Sequence, residues 1–170
     1  MGLKQKSSDL RKRMRDALKG GGDVAIEKQK AIGKLTARER IVSLLDPKSF
    51  HEYDLFVEHA GKDFDMDKKY LPGDGVLTGT GLLAGHPVCI FAQDFTVAGG
   101  SLGWMHAKKI TKIMDHALKL KVPLIGINEQ IDDNALLVKT SDGILDFGIM
   151  SNNIQPAFCR QFLIGIKSII

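Results

Sequence analysis

The sequence predicts an α/β fold, and three observations carry that expectation. Residues 87–92, PVCIFA, form an uninterrupted apolar run of strand length, and residues 122–127, VPLIGI, form another. Between them, Ile110, Ile113, Met114, Ala117 and Leu118 recur with helical spacing on a single apolar face, with Lys108, Lys109, Lys112 and Lys119 lying off it. Strand, helix and strand, the second strand wholly apolar, make a βαβ unit whose strands are expected to be parallel and buried. Ser101 reads as the helix N-cap, and Pro123 punctuates the exit into the second strand.

The elements before this unit follow in order. Leu10, Met14, Ala17 and Leu18 are spaced as a helix stripe, closed by GGG at 20–22 as a stop signal. A second helical stretch carries VAIEKQKAIGKL. In TARE, Thr36 and Glu39 stand at capping-box spacing, so that the hydroxyl takes one orphan N–H and the carboxylate reaches back for another. Ile41, Leu44 and Leu45 continue that helix until DPKS at 46–49 ends it. Residues 1–50 therefore read as a helical segment wrapping the rest. Further on, Asp63, Asp65 and Asp67 begin a calcium-loop spacing. Lys68 fills the position that needs glycine and Asp74 the one that needs glutamate, so the stretch reads as a solvated acidic turn. His51 and His59 have no partner at metal-ligand spacing. From residue 73 the pattern becomes β, with AGH at 84–86 as the turn between two strands.

Composition bounds the function. With 170 residues, 44% hydrophobic and 26% charged, the chain fits one globular domain with a real core. Its apolar runs fall far short of the roughly 20 residues of a membrane span. The amino terminus has no apolar h-region and is interrupted by Asp9 and Asp16, which makes a cytoplasmic protein the expectation and the mitochondrial matrix the alternative. Cys89 and Cys159 form no CxxC pair and read as reduced, buried residues. Residues 1–40 hold twelve Lys or Arg against five Asp or Glu. No aromatic interleaving accompanies them, so a solvated face, a partner subunit or anionic phosphates fit better than nucleic acid.

The glycine-bearing loop at 98–103 is the candidate site. A P-loop needs Lys and Ser or Thr after its last glycine, and Trp104 and Met105 follow Gly103 instead. AGGSLG matches part of a dinucleotide fingerprint, with Glu129 ending the next strand. Ala98 replaces the first glycine, however, and QDFTV lengthens the turn beyond what a pyrophosphate on the helix N-terminus needs. A coenzyme A thioester is the third ligand that such amides suit. Thr96, Gly99, Gly100 and Ser101 are the residues expected to line or shape the cleft; the same types equally serve a tight backbone path with Ser101 as a cap. Gln93 and Asp94 are expected to hold the loop by side-chain-to-backbone bonds. His106 and His116, read as lying on the polar side of the helix, are not expected to act as bases.

Several motifs in fixed order also resemble a known family. GKLTARERIVSLLDPKSFHEYDLFVEH (33–59), PGDGVLTGTG (72–81), FAQDFTVAGGSLGWMHAKKITKIMDHAL (91–118) and PLIGIN (123–128) resemble the carboxyltransferase subunits of biotin-dependent acyl-CoA carboxylases and decarboxylases. The resemblance implies a crotonase-like fold of ββα layers, here an incomplete amino-terminal domain (51–129) preceded by helices (1–50). It implies CO2 transfer between carboxybiotin and the α-carbon of an acyl-CoA such as propionyl-CoA. Biotin would arrive on a separate carrier domain or subunit and coenzyme A as part of the substrate. Biotin carboxyl carrier and biotin carboxylase subunits would be partners, in a homo-oligomeric assembly.

Enolate-like charge on the thioester oxygen needs waiting N–H donors, which the family takes from two glycine-rich turns. After Glu129 this chain reads QIDDNALLVKTSDG, without the expected Ser-Gly-Gly-Ala-Arg. Residues 130–170 are therefore expected to be a divergent tail, either a foreign sequence from a frameshift, an altered splice or a gene-model error, or a short paralogue's own end. The chain is accordingly expected to be an inactive fragment, with a non-catalytic assembly module and a dinucleotide-binding domain as alternatives.

Overall fold

The computed structural model describes residues 2–62 and 65–128, and the backbone of two further strands at 135–140 and 143–148. Asp63, Glu129, Cys159 and the segment 149–170 lie outside the described residues. The elements are α1 (Leu3–Leu18), α2 (Asp23–Ala31), α3 (Ala37–Leu44), β1 (His51–Tyr53), β2 (Val76–Leu83), β3 (His86–Gln93), α4 (Trp104–Leu120), β4 (Leu124–Ile127), β5 (Ala135–Thr140) and β6 (Gly143–Gly148). The strands form one sheet in chain order. β3 and β4 pair in parallel, with Cys89 opposite Leu124 and Ala92 opposite Ile127. The neighbouring pairs are antiparallel. The α/β expectation and the β3–α4–β4 unit both hold, and β2, β3 and α4 together make one ββα layer.

Local chemistry explains the first elements of this order. Thr36 and Glu39 form the expected capping box at the start of α3. The β2–β3 turn places Ala84 and Gly85 at φ 49° and 80°, the left-handed pair of a two-residue hairpin whose twist suits the strands. Asp46, just past α3, holds that turn: its carboxylate accepts from the N–H of Ala84 at 2.9 Å and of Gly85 at 2.7 Å. Its own N–H donates to the Leu82 carbonyl at 2.8 Å.

Each face of the sheet has its own core. Ala37, Ile41, Leu44 and Leu45 from the α3 segment meet Leu77, Leu83, Val88, Ile90, Ala92, Ile125 and Ile127 on one side. Opposite them, Ile113 and Ala117 of α4 meet Cys89 and Leu124, with Tyr53, Phe91, Met114 and Val122 around the edge. The alternation along β3 between Val88, Ile90 and Ala92 on one face and Cys89 and Phe91 on the other is the period-two pattern of a strand buried on both sides. Cys89 is fully buried and free, and burial pushes its thiol pKa up.

Two sequence expectations are corrected. The buried residues of α4 are His106, Lys109, Ile113 and Ala117, whereas Leu118 is 65% exposed. The helix is turned so that its first half meets the turn at residues 73–75, which offers carbonyls and a carboxylate instead of apolar surface. The α1 stripe is also not a core face, since Leu10, Met14 and Leu18 are exposed and Ala17 alone of the four is buried. Beyond Ala17 and the Arg13 guanidinium over the Phe56 ring, contact with the body is made by the α1–α2 junction, so the wrapping expected of residues 1–50 is performed mainly by α3.

Candidate functional site

From the end of β3 the chain crosses to α4 through Asp94–Gly103. The N–H of Asp94 donates to the Gly75 carbonyl at 2.8 Å, and that of Val97 returns to the Asp94 carbonyl at 3.1 Å. The N–H of Gly100 reaches the Val97 carbonyl at 2.9 Å, closing a short 3-10 turn over Ala98–Gly100. Ala98, Gly99 and Gly100 all have left-handed φ, at 48°, 64° and 68°. A Cβ on Gly99 would touch nothing within 4 Å, so glycine is needed there for backbone conformation and not for space.

The expected role of Asp94 is observed. Its Oδ1 accepts from the Thr96 N–H at 3.0 Å and from the Thr96 hydroxyl at 2.6 Å. Burial raises the Asp94 carboxyl pKa, against the opposing pull of those two bonds. Thr96 Oγ1 in turn accepts the N–H of Gly21 at 3.1 Å. A Cβ at Gly21 would stand 1.8 Å from the Thr96 carbonyl oxygen, so glycine alone lets the α1–α2 junction lie against the loop.

Ser101 does not cap α4. Its hydroxyl donates to the Ala98 carbonyl at 2.7 Å, and the N-cap is Gly103, which has no side chain to offer. The cap comes from afar: the Asp74 carboxylate accepts the His106 N–H at 2.8 Å. A Cβ on Gly103 would lie 2.4 Å from Asp74 Oδ2, so glycine admits the carboxylate to the helix end. Negative charge there is favoured by the helix dipole and by the unpaired amides.

His106 and Lys109 belong to the same cluster, which corrects their expected place on the polar side of the helix. His106 Nδ1 lies 2.8 Å from the Asp74 carbonyl oxygen. A carbonyl only accepts, so Nδ1 carries the proton and Nε2 is left bare; that atom is buried without a hydrogen-bond partner. Lys109 Nζ donates to the Gly73 carbonyl at 3.0 Å and also to that of Val76. Burial draws the Lys109 pKa down to about 8, although Glu52, Asp54 and Asp74 pull it upward. Burial likewise holds the His106 pKa below the usual histidine value. His116 stands apart from the cluster, its ring edge-on to Tyr53 at 5.6 Å between centroids.

A cavity of about 230 Å³ opens between the α1–α2 junction, α3 and this loop, lined among others by Gly20, Lys30, Arg38, Glu52, Asp94 and Thr96. Arg38 grips Glu52 through two bonds of 2.7 and 3.1 Å. Of the four expected site residues, Thr96 lines this cavity; Gly99 and Ser101 are exposed, and Gly100 is buried beside Phe95. The four therefore share one loop without converging on one pocket. Sequence reasoning missed Asp74 and Lys109 as site-forming residues. The available signal was an aspartate between two glycines in PGDGV. Among the described residues no cluster of His, Cys, Asp and Glu could hold a metal ion, and no described helix is long and apolar enough to cross a membrane.

A ββα layer with a glycine loop between β3 and α4 is the framework on which the motifs quoted above are strung, and residues 28–144 match the carboxyl transferase domain model. The chain belongs to that family. Among its relatives, the α subunit of methylmalonyl-CoA decarboxylase of Veillonella parvula is 44% identical over 146 residues, covering 86% of this chain and 28% of the relative. The mitochondrial propionyl-CoA carboxylase β chain of Homo sapiens is 54% identical over 122 residues, 71% of this chain and 23% of the relative. The crystal structure of transcarboxylase 12S, a hexamer with methylmalonyl-coenzyme A and methylmalonic acid bound, superposes with a TM-score of 0.71 at 38% identity. The superposition covers 78% of this chain and 27% of that one. The fold is thus the crotonase-like α/β fold of carboxyltransferases. The chain spans about a quarter of the length of these relatives. The family match runs past Glu129, where the resemblance read from motifs stops.

Proposed function

We propose that these residues form one wall of an acyl-CoA carboxyltransferase cleft, for a substrate such as propionyl- or methylmalonyl-CoA. The observation that carries the reading is the clamped glycine loop between β3 and α4, in a chain whose relatives are named for those two thioesters. In the reaction, CO2 passes between carboxybiotin and the acyl α-carbon. Biotin is the cofactor and supplies the activated carboxyl group, carried on a separate domain or subunit and loaded by a biotin carboxylase. The described loop does not fit biotin itself: the side chains of Asp94, Thr96 and Ser101 are committed to bonds within the loop and to Gly21. The role assigned to this chain's residues is to shape and support the thioester's side of the cleft.

After Glu129 the sequence carries neither Ser-Gly-Gly-Ala-Arg nor a further glycine-rich turn, so the enolate-stabilising amides are not assigned to these 170 residues. Binding without turnover is the expected behaviour of this chain by itself, in the cytoplasm or the mitochondrial matrix. Titration calorimetry with propionyl-CoA tests it, with a reduced nicotinamide dinucleotide as the competing ligand. Loss of all coenzyme A affinity sinks the cleft assignment, and CO2 transfer by the isolated chain sinks the inactivity. Against the dinucleotide alternative, Asp74 stands at the helix end that a pyrophosphate would need; it equally keeps coenzyme A phosphates from that end, so the thioester reading places no phosphate there.

One observation favours a second reading. The exposed α1 stripe of Leu10, Met14 and Leu18 suits a non-catalytic assembly module docked on full-length carboxyltransferase subunits. Co-elution with such a subunit in the absence of coenzyme A affinity would favour it.

A further inference from the structure

We infer that Asp74, His106 and Lys109 are positioning residues for the cleft, clipping both ends of loop 94–103 to the single turn Gly73–Asp74–Gly75. The inference rests on the proposal that this loop lines the thioester site, and its geometric part stands independently.

The loop begins where the Asp94 N–H meets the Gly75 carbonyl, and it ends where the Asp74 carboxylate meets Gly103 and the His106 N–H. Its two ends are therefore held by adjacent residues. The bonds inside it, Val97 to Asp94, Gly100 to Val97 and Ser101 to Ala98, are all local and shape it without fixing where it stands. Its two ends inherit their place from the 73–75 turn, while its middle is tied separately to the α1–α2 junction by the Gly21 N–H on Thr96 Oγ1.

That turn would not keep its shape unaided. Gly73, Asp74 and Gly75 have consecutive left-handed φ values of 66°, 49° and 72°, and Asp74 is not glycine. Such conformations persist only where the surroundings over-determine them. Here three bonds from the first two turns of α4 do so. His106 Nδ1 holds the Asp74 carbonyl, and Lys109 Nζ holds the carbonyls of Gly73 and Val76. A buried ammonium is a costly way to pack a helix, and it is kept here as the donor to the carbonyls of Gly73 and Val76. What the lysine adds is direction: it fixes the height of the turn and, through it, the loop.

The test uses the full 170-residue chain and the variants Asp74→Ala, Asp74→Asn and Lys109→Met, read by amide hydrogen exchange and by propionyl-CoA titration. In Asp74→Ala and Lys109→Met, exchange at Gly100, Ser101 and His106 is expected to accelerate about tenfold or more while the β2–β3 hairpin keeps its protection. Propionyl-CoA affinity is expected to fall by about the same factor, given the cost of small misplacements in a site. Asp74→Asn keeps an oxygen for the His106 N–H, so its affinity should stay within about threefold of the parent. Unchanged loop exchange in Asp74→Ala overturns the inference. So does equal loss in loop and hairpin, which is general destabilisation, or failure of Asp74→Asn to rescue. If the parent chain binds no propionyl-CoA, the cleft assignment falls, and exchange alone decides the clip: loop-specific loss upholds it and an unmoved loop overturns it.

Discussion

The two halves of α4 are buried in opposite ways. Its second half sets Ile113 and Ala117 against Cys89 and Leu124, an apolar contact with no directional demand. Its first half sets His106 and Lys109 against the carbonyls of residues 73, 74 and 76. Apolar burial contributes in proportion to area and tolerates small shifts, whereas a buried polar contact is worth something only at the right distance and angle. One half of the helix attaches it to the sheet; the other fixes where a loop stands.

The comparison breaks most visibly at Ile113. Ile113→Ala leaves a cavity beneath the helix and should cost about 2–5 kcal/mol in urea denaturation, with the loop's exchange pattern preserved in the folded fraction. Next comes Lys109→Met, which strands two carbonyls at about 1–3 kcal/mol each, partly offset because no charge is then buried. Its pH dependence separates the two halves. Folding lowers the Lys109 pKa from 10.5 to about 8, so between those values the unfolded chain binds the proton that the folded chain has lost. Wild-type stability should therefore climb relative to Lys109→Met as pH rises from about 8 to 10.5, by on the order of 3 kcal/mol, and show little such difference in slope from pH 7 to 8. Ile113→Ala should keep the wild-type pH slope.

Smaller effects sharpen the same contrast elsewhere. Asp46→Ala removes the acceptor for both amides of the hairpin tip and should cost about 1–2 kcal/mol by thermal melting. Thr36→Ala removes the hydroxyl of the capping box at the start of α3, at about 1 kcal/mol. Lys112→Ala breaks the pair with Asp54 at 2.8 Å. That lysine is well exposed, so the stability obtained from thermal melting should change by less than about 0.5 kcal/mol.

What was legible in the sequence was local or periodic. The capping box, the hairpin turn and the parallel β3–α4–β4 unit all follow from spacing within a few residues or from a repeat along one element. What was not legible was contact between distant segments. Ser101 satisfies every local rule for a cap, yet Asp74 takes the place because the fold brings it there from another part of the chain. Lys109 reads as solvated because lysines usually are, and nothing near it in sequence shows the carbonyls that receive it. The α1 stripe has helical spacing, yet Ala17 alone of the four is buried, a matter of where the helix points. Thr96 is expected at the site from its place beside the glycine loop, while its bond to Gly21 joins segments 75 residues apart.

The parallel pairing of β3 with β4 has a consequence for how the chain finds its shape. Hairpin β2–β3 closes over two residues and can zip within microseconds of collapse. Strand β4 can join only after a whole helix has been laid across the sheet, and the entropy of closing that longer segment is lost before any ladder bond forms. Whatever settles α4 therefore also sets the pace at which the middle of the sheet is sealed, which would make the buried lysine and histidine participants in the folding rate as well as in the finished structure.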